Sequence, residues 1–477
     1  MRRLITCTLW VVIACGGGGS EPSVTPPAET TLALNAPPSV AVGGTLQASV
    51  APADNATWTS EAPAIASVSN DGKITGLQLG QATIRVVRGN KSDVASIQVV
   101  APFVDLTLGS DHACARTATR ALYCWGSNKS GALGQIARAQ TCPGNSGPEV
   151  ACSTTPQLSE SAVTFAQLSA NGSGTCGLTE DGEAYCWGVN AASNPTSPAR
   201  VPGGLHFTSL GVGAFFACGL DAQGRAYCWG NEEFGRLGAT PIDRCGSTPC
   251  NLNPTAVVGG RTFSSLSVGV EHSCGLTAAG AAYCWGWNAF GQLGNGKVSG
   301  SEEGEMAPVQ VVTDVPFLHI RVGFGHTCAL TAAGDVYCWG RNGSGQLGAG
   351  NKTGSAVPVR VAVGLAFATI SAGIQHTCAL TRAGAAYCWG GAGNDALPGG
   401  SPVGGEIGDG TNSQRLTPTA VARNLVLVQL EANGSFTCGR VGTGQVYCWG
   451  ANLSGQLGIG DKLLRSANVP VGVGGVP

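Results

Sequence analysis

Four His-x-Cys pairs, beginning at His112, His272, His326 and His376, place an imidazole and a thiol two residues apart. On a strand such residues share a face, and both types bind metals, zinc above all. A thiol beside an imidazole is also the beginning of a nucleophile or redox centre. Either chemistry needs its partner kept in place. Equivalent positions elsewhere in the chain hold Gly174, Phe216 and Phe436 while the cysteine stays. We therefore read these histidines as packing residues and assign no metal.

Other glycine-rich stretches fail for reasons of chemistry. Gly291-Gln292-Leu293-Gly294-Asn295-Gly296-Lys297 has the outline of a phosphate loop, but Val298 follows where a Ser or Thr would bind magnesium. The segments beginning at Gly172 and Gly343 match a dinucleotide pattern without a crossover helix after them, and with 74 glycines in 477 residues such matches are expected by chance. A Ser-His-Asp site has no motif to start from. The chain reads as a non-enzyme that needs no cofactor.

What positions the cysteines is a repeat. YCWG occurs at Tyr123, Tyr185, Tyr227, Tyr283, Tyr337, Tyr387 and Tyr447, which are all the tyrosines of the chain, at intervals of 62, 42, 56, 54, 50 and 60 residues. Each run has a second cysteine ten positions before its own. The pairs are Cys114 and Cys124, Cys176 and Cys186, Cys218 and Cys228, Cys274 and Cys284, Cys328 and Cys338, Cys378 and Cys388, and Cys438 and Cys448. An array of this period is a repeat architecture. Only 11 % of residues are charged, which favours short strands and tight turns over helices. The net charge of -2 gives no basic footprint, so nucleic acid is not expected as a partner.

A hairpin of HTCAL and VYCWG turning on Ala333 sets Cys328 directly opposite Cys338. Opposed β-carbons lie about 4.5–5.5 Å apart, close to what a disulfide requires. Gly334, with Gly182, Gly224, Gly280, Gly384 and Gly444, suits a left-handed turn position; repeat one carries Thr119 there, and its turn is expected to differ. Tyr337 and Trp339 share the face opposite Cys338 and are expected to pack between units.

The N-terminus, residues 1–15, has two arginines and a short apolar run ending in Val12-Ile13-Ala14-Cys15, which resembles the lipobox of bacterial lipoproteins. The resemblance implies an export signal with lipid on Cys15; an ordinary cleaved signal is the alternative. Residues 16–29 have the glycine and proline of a tether, and no later apolar run is long enough to cross a bilayer. Setting aside Cys7 and Cys15, 18 cysteines remain. They pair locally once Cys142 with Cys152, and Cys245 with Cys250, join the seven repeat pairs. In an oxidising compartment this is a disulfide framework.

Residues 30–102 lack cysteine and alternate short β-branched runs with turns. Trp58-Thr59-Ser60, Ile65 to Ser69 followed by Asp71-Gly72, and Gly80-Gln81-Ala82-Thr83-Ile84 resemble the group 2 bacterial immunoglobulin-like domains. That implies a β-sandwich spacer or adhesive module with Trp58 in its core.

Residues 103–477 resemble the regulator of chromosome condensation family in Gly325-His326-Thr327-Cys328-Ala329-Leu330, in Tyr337 to Gly340 with Asn342, and in Gly345-Gln346-Leu347-Gly348. The resemblance implies a seven-bladed β-propeller, so the whole chain is expected to be all-β: a sandwich, then a propeller. Val469 to Pro477 looks like the proline-valine strand that repeat one lacks, and is expected to complete the first blade and close the ring. Repeat two has lost the GQLG run and repeat six has a long insertion in its place. Insertions after repeats one and three carry the two extra cysteine pairs. Such insertions project from a rim. The best contact candidates at variable repeat positions are Glu233, Phe234, Trp287, Phe290 and Arg341, since aromatics and arginine carry interface energy.

The expected function is an exported, lipid-anchored binding protein of the bacterial envelope that recognises a protein or surface glycan through the propeller rim. The alternative is an inhibitor of an extracellular enzyme, because the resemblance extends to secreted propellers that block β-lactamases. Guanine-nucleotide exchange, the role of the family's eukaryotic founder, fits an exported disulfide-rich chain poorly.

Overall fold

The computed structural model describes residues 32–473 except 37–38, 43, 52–54, 101, 137–139, 143–149, 190–194, 302, 363, 392–403, 423 and 462–465; of 466–469 it describes the backbone alone. The expected signal and tether, with Cys15, lie outside the described residues. Every regular element among those described is a strand.

Residues 33–100 form sheets of four, three and two strands. A long hairpin of Gly80–Arg88 and Lys91–Val100 is its spine, with Thr57–Ser60 antiparallel on one side and Ser39–Ala41 parallel on the other. Their inward residues, Trp58, Ile84, Val86 and Ile97, make one apolar cluster with Ile74, so Trp58 is a core residue.

Seven further sheets follow, over 103–158, 167–200, 209–256, 265–310, 319–360, 367–421 and 427–472. Each is contiguous in sequence, and the first and third gain a fifth strand from their insertions, Gln140–Cys142 and Asp243–Cys245. The innermost strand of each lies against that of the next, and Phe103–Leu108 of the first lies against Leu427–Asn433 of the last. The sheets are thus the blades of a closed propeller.

One expectation is corrected. The C-terminal strand, Ser466–Gly472, pairs with Val446–Ala451 in the seventh blade and does not enter the first. The proline-valine strand after each YCWG run is the returning outer strand of that same blade, as Ser355–Arg360 is for Val336–Gly340. The first blade therefore lacks nothing: Val150–Leu158 is its outer strand. A second correction concerns the first hairpin turn. Counted back from the cysteine, Arg120 and not Thr119 takes the glycine position, at φ +66°, and the turn hydrogen bonds match those of the other blades.

All nine expected cysteine pairs are bonded. In the repeats Cys114 bonds to Cys124, Cys176 to Cys186, Cys218 to Cys228, Cys274 to Cys284, Cys328 to Cys338, Cys378 to Cys388 and Cys438 to Cys448. These seven pairs sit directly opposite each other at Cα separations of 4.0–4.1 Å. In the insertions Cys142 bonds to Cys152 and Cys245 to Cys250, each at a Cα separation of 5.8 Å.

Because Cys and Trp alternate in YCWG, they bury on opposite faces of their blade. Each apolar cluster between blades joins the disulfide of one blade to the Trp of the next. Cys328 and Cys338 pack with Trp389, Cys378 and Cys388 with Trp449, and, across the seam, Cys438 and Cys448 with Trp125. Trp339 also stacks on Phe317, centroids 6.0 Å apart. Such a Trp truncated to Ala costs about 3–5 kcal/mol, so these seven seams carry much of the stability.

Candidate interaction surface

The His-x-Cys pairs resolve into a seam device. His326 Nε2 lies 2.9 Å from Thr377 Oγ1 in the next blade, and that hydroxyl donates to the Gln346 carbonyl at 2.9 Å. The same carbonyl accepts from Trp389 Nε1 at 2.9 Å. With the hydroxyl proton so committed, the histidine donates through Nε2. His112–Thr175, His272–Thr327 and His376–Thr437 repeat the contact at 2.8 Å each. Where the first position is Gly174, Phe216 or Phe436, the facing residue in the next blade is Ala217, Ser273 or Ala113. Histidine and threonine are thus kept or lost together. The preceding glycine makes room: a β-carbon on Gly323 would sit 2.6 Å from Cε1 of His326. Burial lowers the His326, His272 and His376 pKa values to about 3 and that of His112 to about 4, so the rings are neutral. Among the described residues no group of three His, Cys, Asp or Glu is arranged to hold a metal ion.

The inner strands enclose a central cavity of about 330 Å³. Its hydroxyls are structural as well: Thr107, Ser169, Ser267 and Ser371 accept from the backbone N–H of Ala170, Val212, Val322 and Ala432 in the following blade.

The exposed chemistry is on one face. His326 pairs with Gly340 and Leu330 with Val336, so the turn before the second strand and the loop after YCWG emerge at one end of each blade. There the structure brings four of the five candidate residues into one partly exposed patch. Trp287 lies 6.1 Å from Phe234 and 5.2 Å from Phe290, centroid to centroid. The Arg341 guanidinium stands 5.4 Å from the Phe290 ring. Trp287 is pinned by its indole N–H, which donates to the Ser301 carbonyl at 2.9 Å. Phe234 holds φ +58°, which bulky residues rarely adopt and which tends to mark functional loops.

Glu233, the fifth candidate, is tied to Arg236 by an ion pair. That arginine replaces the Gln of GQLG, is fully buried, and is held by Glu271, by Glu233 Oε2 at 3.1 Å and by the Asn231 carbonyl at 2.9 Å. Its guanidinium carbon also lies 5.7 Å from the rings of Phe215 and Phe216. Glu232 stands where five of the other six repeats have Asn and accepts the Leu237 N–H at 2.8 Å, as Asn342 does for Leu347 at 2.9 Å. Burial pushes the Glu232 carboxyl up to about 7, against that N–H and the Arg236 charge. Burial also raises Glu271, with Arg236 opposing.

Sequence reasoning missed Phe324, 5.7 Å from Trp287. A signal was present: two residues before each histidine position the chain reads Ser110, Gly172, Ala214, Val270, Phe324, Ile374 and Gly434, a variable site in a fixed turn.

Comparison with known proteins agrees with this architecture. Residues 71–430 match the RCC1-like domain, residues 427–456 and 443–477 match regulator of chromosome condensation (RCC1) repeats, and residues 30–99 match the bacterial Ig-like domain (group 2). The chain is 28 % identical to the ultraviolet-B receptor UVR8 of Arabidopsis thaliana over 56 % of its own length and 60 % of that protein. It is 29 % identical to the human E3 ubiquitin-protein ligase HERC2 over 58 % of its length but only 6 % of that protein. Among solved structures, Prp20p of Saccharomyces cerevisiae superposes with a TM-score of 0.58 at 22 % identity, covering 70 % of this chain and 80 % of Prp20p. Human WBSCR16 gives 0.61 at 18 %, covering 74 % and 93 %. These last two likenesses concern the fold alone. With three quarters of its length matched by one domain family, this chain belongs to the RCC1-like domain family and carries a group 2 bacterial Ig-like domain ahead of its propeller.

Proposed function

We propose that this protein is an exported binding module that recognises another protein through the face bearing Phe234, Trp287, Phe290, Phe324 and Arg341. The observation that carries the reading is that cluster: partly exposed aromatics from three successive blades, with an arginine at the edge, on loops whose other positions are fixed by repeat structure. Interface hot spots are enriched in these residue types. Prp20p, which shares the fold, is described as binding Gsp1p and histones, so such a propeller can serve as a protein-binding surface. The domain context and nine local disulfides support an oxidising, extracellular setting. In this reading Cys15 carries lipid, residues 30–102 are a spacer, and no catalysis is involved.

A second reading, inhibition of an extracellular enzyme, is favoured by the small disulfide loop of blade three. It holds its surface rigid, and Glu232 N–H donates to the Pro249 carbonyl at 2.8 Å. Rigidity lowers the entropic cost of binding. The test is a non-reducing pull-down with residues 16–477 from the surface and extracellular fractions of the source organism. A saturable protein partner lost in W287A and F290A supports the first reading, and an enzyme whose activity falls on binding supports the second. A polysaccharide ligand, or capture unchanged by both substitutions, rejects the assigned surface.

A further inference from the structure

The aromatic patch is not electrically neutral. Among the described residues, the face loops of blades three and four, within 231–250, 270–271 and 287–305, carry six acidic residues against three basic ones. One of the three, Arg236, is fully buried and faces Glu232, Glu233 and Glu271 together. Glu232 is only partly charged at neutral pH, so the negative balance around this one guanidinium rests on Glu233 and Glu271, which Arg236 holds by ion pairs. The acids neighbour the aromatic residues along the backbone. Glu233 precedes Phe234 and its side chain is half exposed. The Glu271 carbonyl accepts the Trp287 N–H at 3.0 Å, and Glu305 pairs with Gly286 beside Trp287. On the far side, in blade five, Arg341 supplies the positive edge. The field across the patch therefore runs from negative over blades three and four to positive over blade five.

Resting on the binding-surface reading above, we infer that the segment docking here is a protein segment with an arginine or lysine flanked by apolar side chains, its cation lying against Trp287 on the acidic side of the patch. A cation over an indole face is attracted by the ring quadrupole, and more strongly once water is displaced. Nearby carboxylates add Coulomb attraction and orient the partner. An acidic segment would meet like charge at the same place. Apolar neighbours of the cation are needed because Phe234, Phe290 and Phe324 offer ring surface and no hydrogen bonds.

The test uses the full chain and three labelled twelve-residue peptides of alternating leucine with arginine, glutamate or serine, followed by fluorescence anisotropy at low and at near-molar salt. The inference expects the arginine peptide to bind at least tenfold more tightly than the serine peptide, the glutamate peptide not to bind, and salt to erase the difference. It further expects W287L and E233Q each to weaken the arginine peptide at least fivefold, while E160Q, on the outer connection of blade one, leaves it unchanged. E233Q alters a half-exposed side chain, so it keeps the test decisive if the Trp287 variant folds poorly. Equal binding of arginine and serine peptides, both lost in W287L, overturns the cation assignment while leaving the binding surface standing. Arginine binding indifferent to W287L and E233Q, or no arginine binding at all, also overturns it. The pull-down above judges the surface itself.

Discussion

His326 and Thr377 lie in adjacent blades, 51 residues apart in sequence, and share a buried hydrogen bond of 2.9 Å. The chain contains its own control for this pair, since the seam from blade seven to blade one replaces it by Phe436 facing Ala113. T377A alone leaves the His326 N–H buried without an acceptor and is expected to cost about 1–3 kcal/mol. The double variant H326F/T377A is expected to recover most of that loss, giving a coupling energy of at least about 0.5 kcal/mol in a double-mutant cycle by urea denaturation. Additive losses in the two single variants would show that the pair is not a unit.

The four buried imidazoles make the fold acid-sensitive. Their folded pKa values, about 3 to 4, lie below the unfolded value of 6.5. Between these values the unfolded chain binds more protons, so stability is complete above pH 6.5 and falls as pH drops below it. At about 1.4 kcal/mol per pH unit, each histidine removes about 2 kcal/mol by pH 5. Denaturation midpoints at pH 7 and pH 5 measure the loss, and H326F/T377A is expected to show a shallower dependence. A flat profile from pH 7 to 5 would contradict buried neutral rings.

Glu232 has the opposite sign. Its folded pKa of about 7 lies above the reference of 4.5, so the folded protein binds the extra proton between these values. Stability therefore declines as pH rises through that window and stays lower above it. E232Q keeps a neutral acceptor for the Leu237 N–H and is expected to be more stable than the parent at pH 8, by up to about 3 kcal/mol, and nearly equal to it at pH 4.5. Thermal scans at the two pH values suffice, and equal midpoints at pH 8 would show that this carboxyl ionises without cost.

Replacing Cys328 and Cys338 by serine opens a ten-residue loop. Chain-entropy models assign such a bridge about 2–3 kcal/mol, and two buried hydroxyls beside Trp389 add to the loss. A drop in denaturation free energy below about 1 kcal/mol would mean that seam packing does the stabilising without the bond.

Much of this was legible in the primary sequence because the repeat multiplies each signal. Seven copies of Cys-x9-Cys with YCWG specify strand pairing, register and the Trp face, and the structure agrees for each. The phase of the repeat was less visible. A proline-valine strand reads equally well as the start of one unit or the end of the previous one, and only hydrogen bonding assigns it to the latter. At the surface, Phe234, Trp287, Phe290 and Arg341 stood out as bulky residues at variable positions. Phe324 did not, because its turn contributes to the patch only once neighbouring blades are side by side. The pairing of histidine with a threonine about 50–60 residues later was hidden for the same reason.

The seam between the first and last blades is fastened without any shared strand. Trp125 Nε1 donates to the Gln456 carbonyl at 3.0 Å, Gln429 to the Leu106 carbonyl at 2.8 Å and Asn433 to the Leu108 carbonyl at 2.7 Å, across 331, 323 and 325 residues. Every other seam joins neighbours in sequence. Until residues 427–472 are in place, the flank of the first blade that holds Phe103, Leu106 and Trp125 is apolar and lacks its cover. A chain cut short before its seventh blade therefore exposes that flank, the kind of apolar surface that drives aggregation.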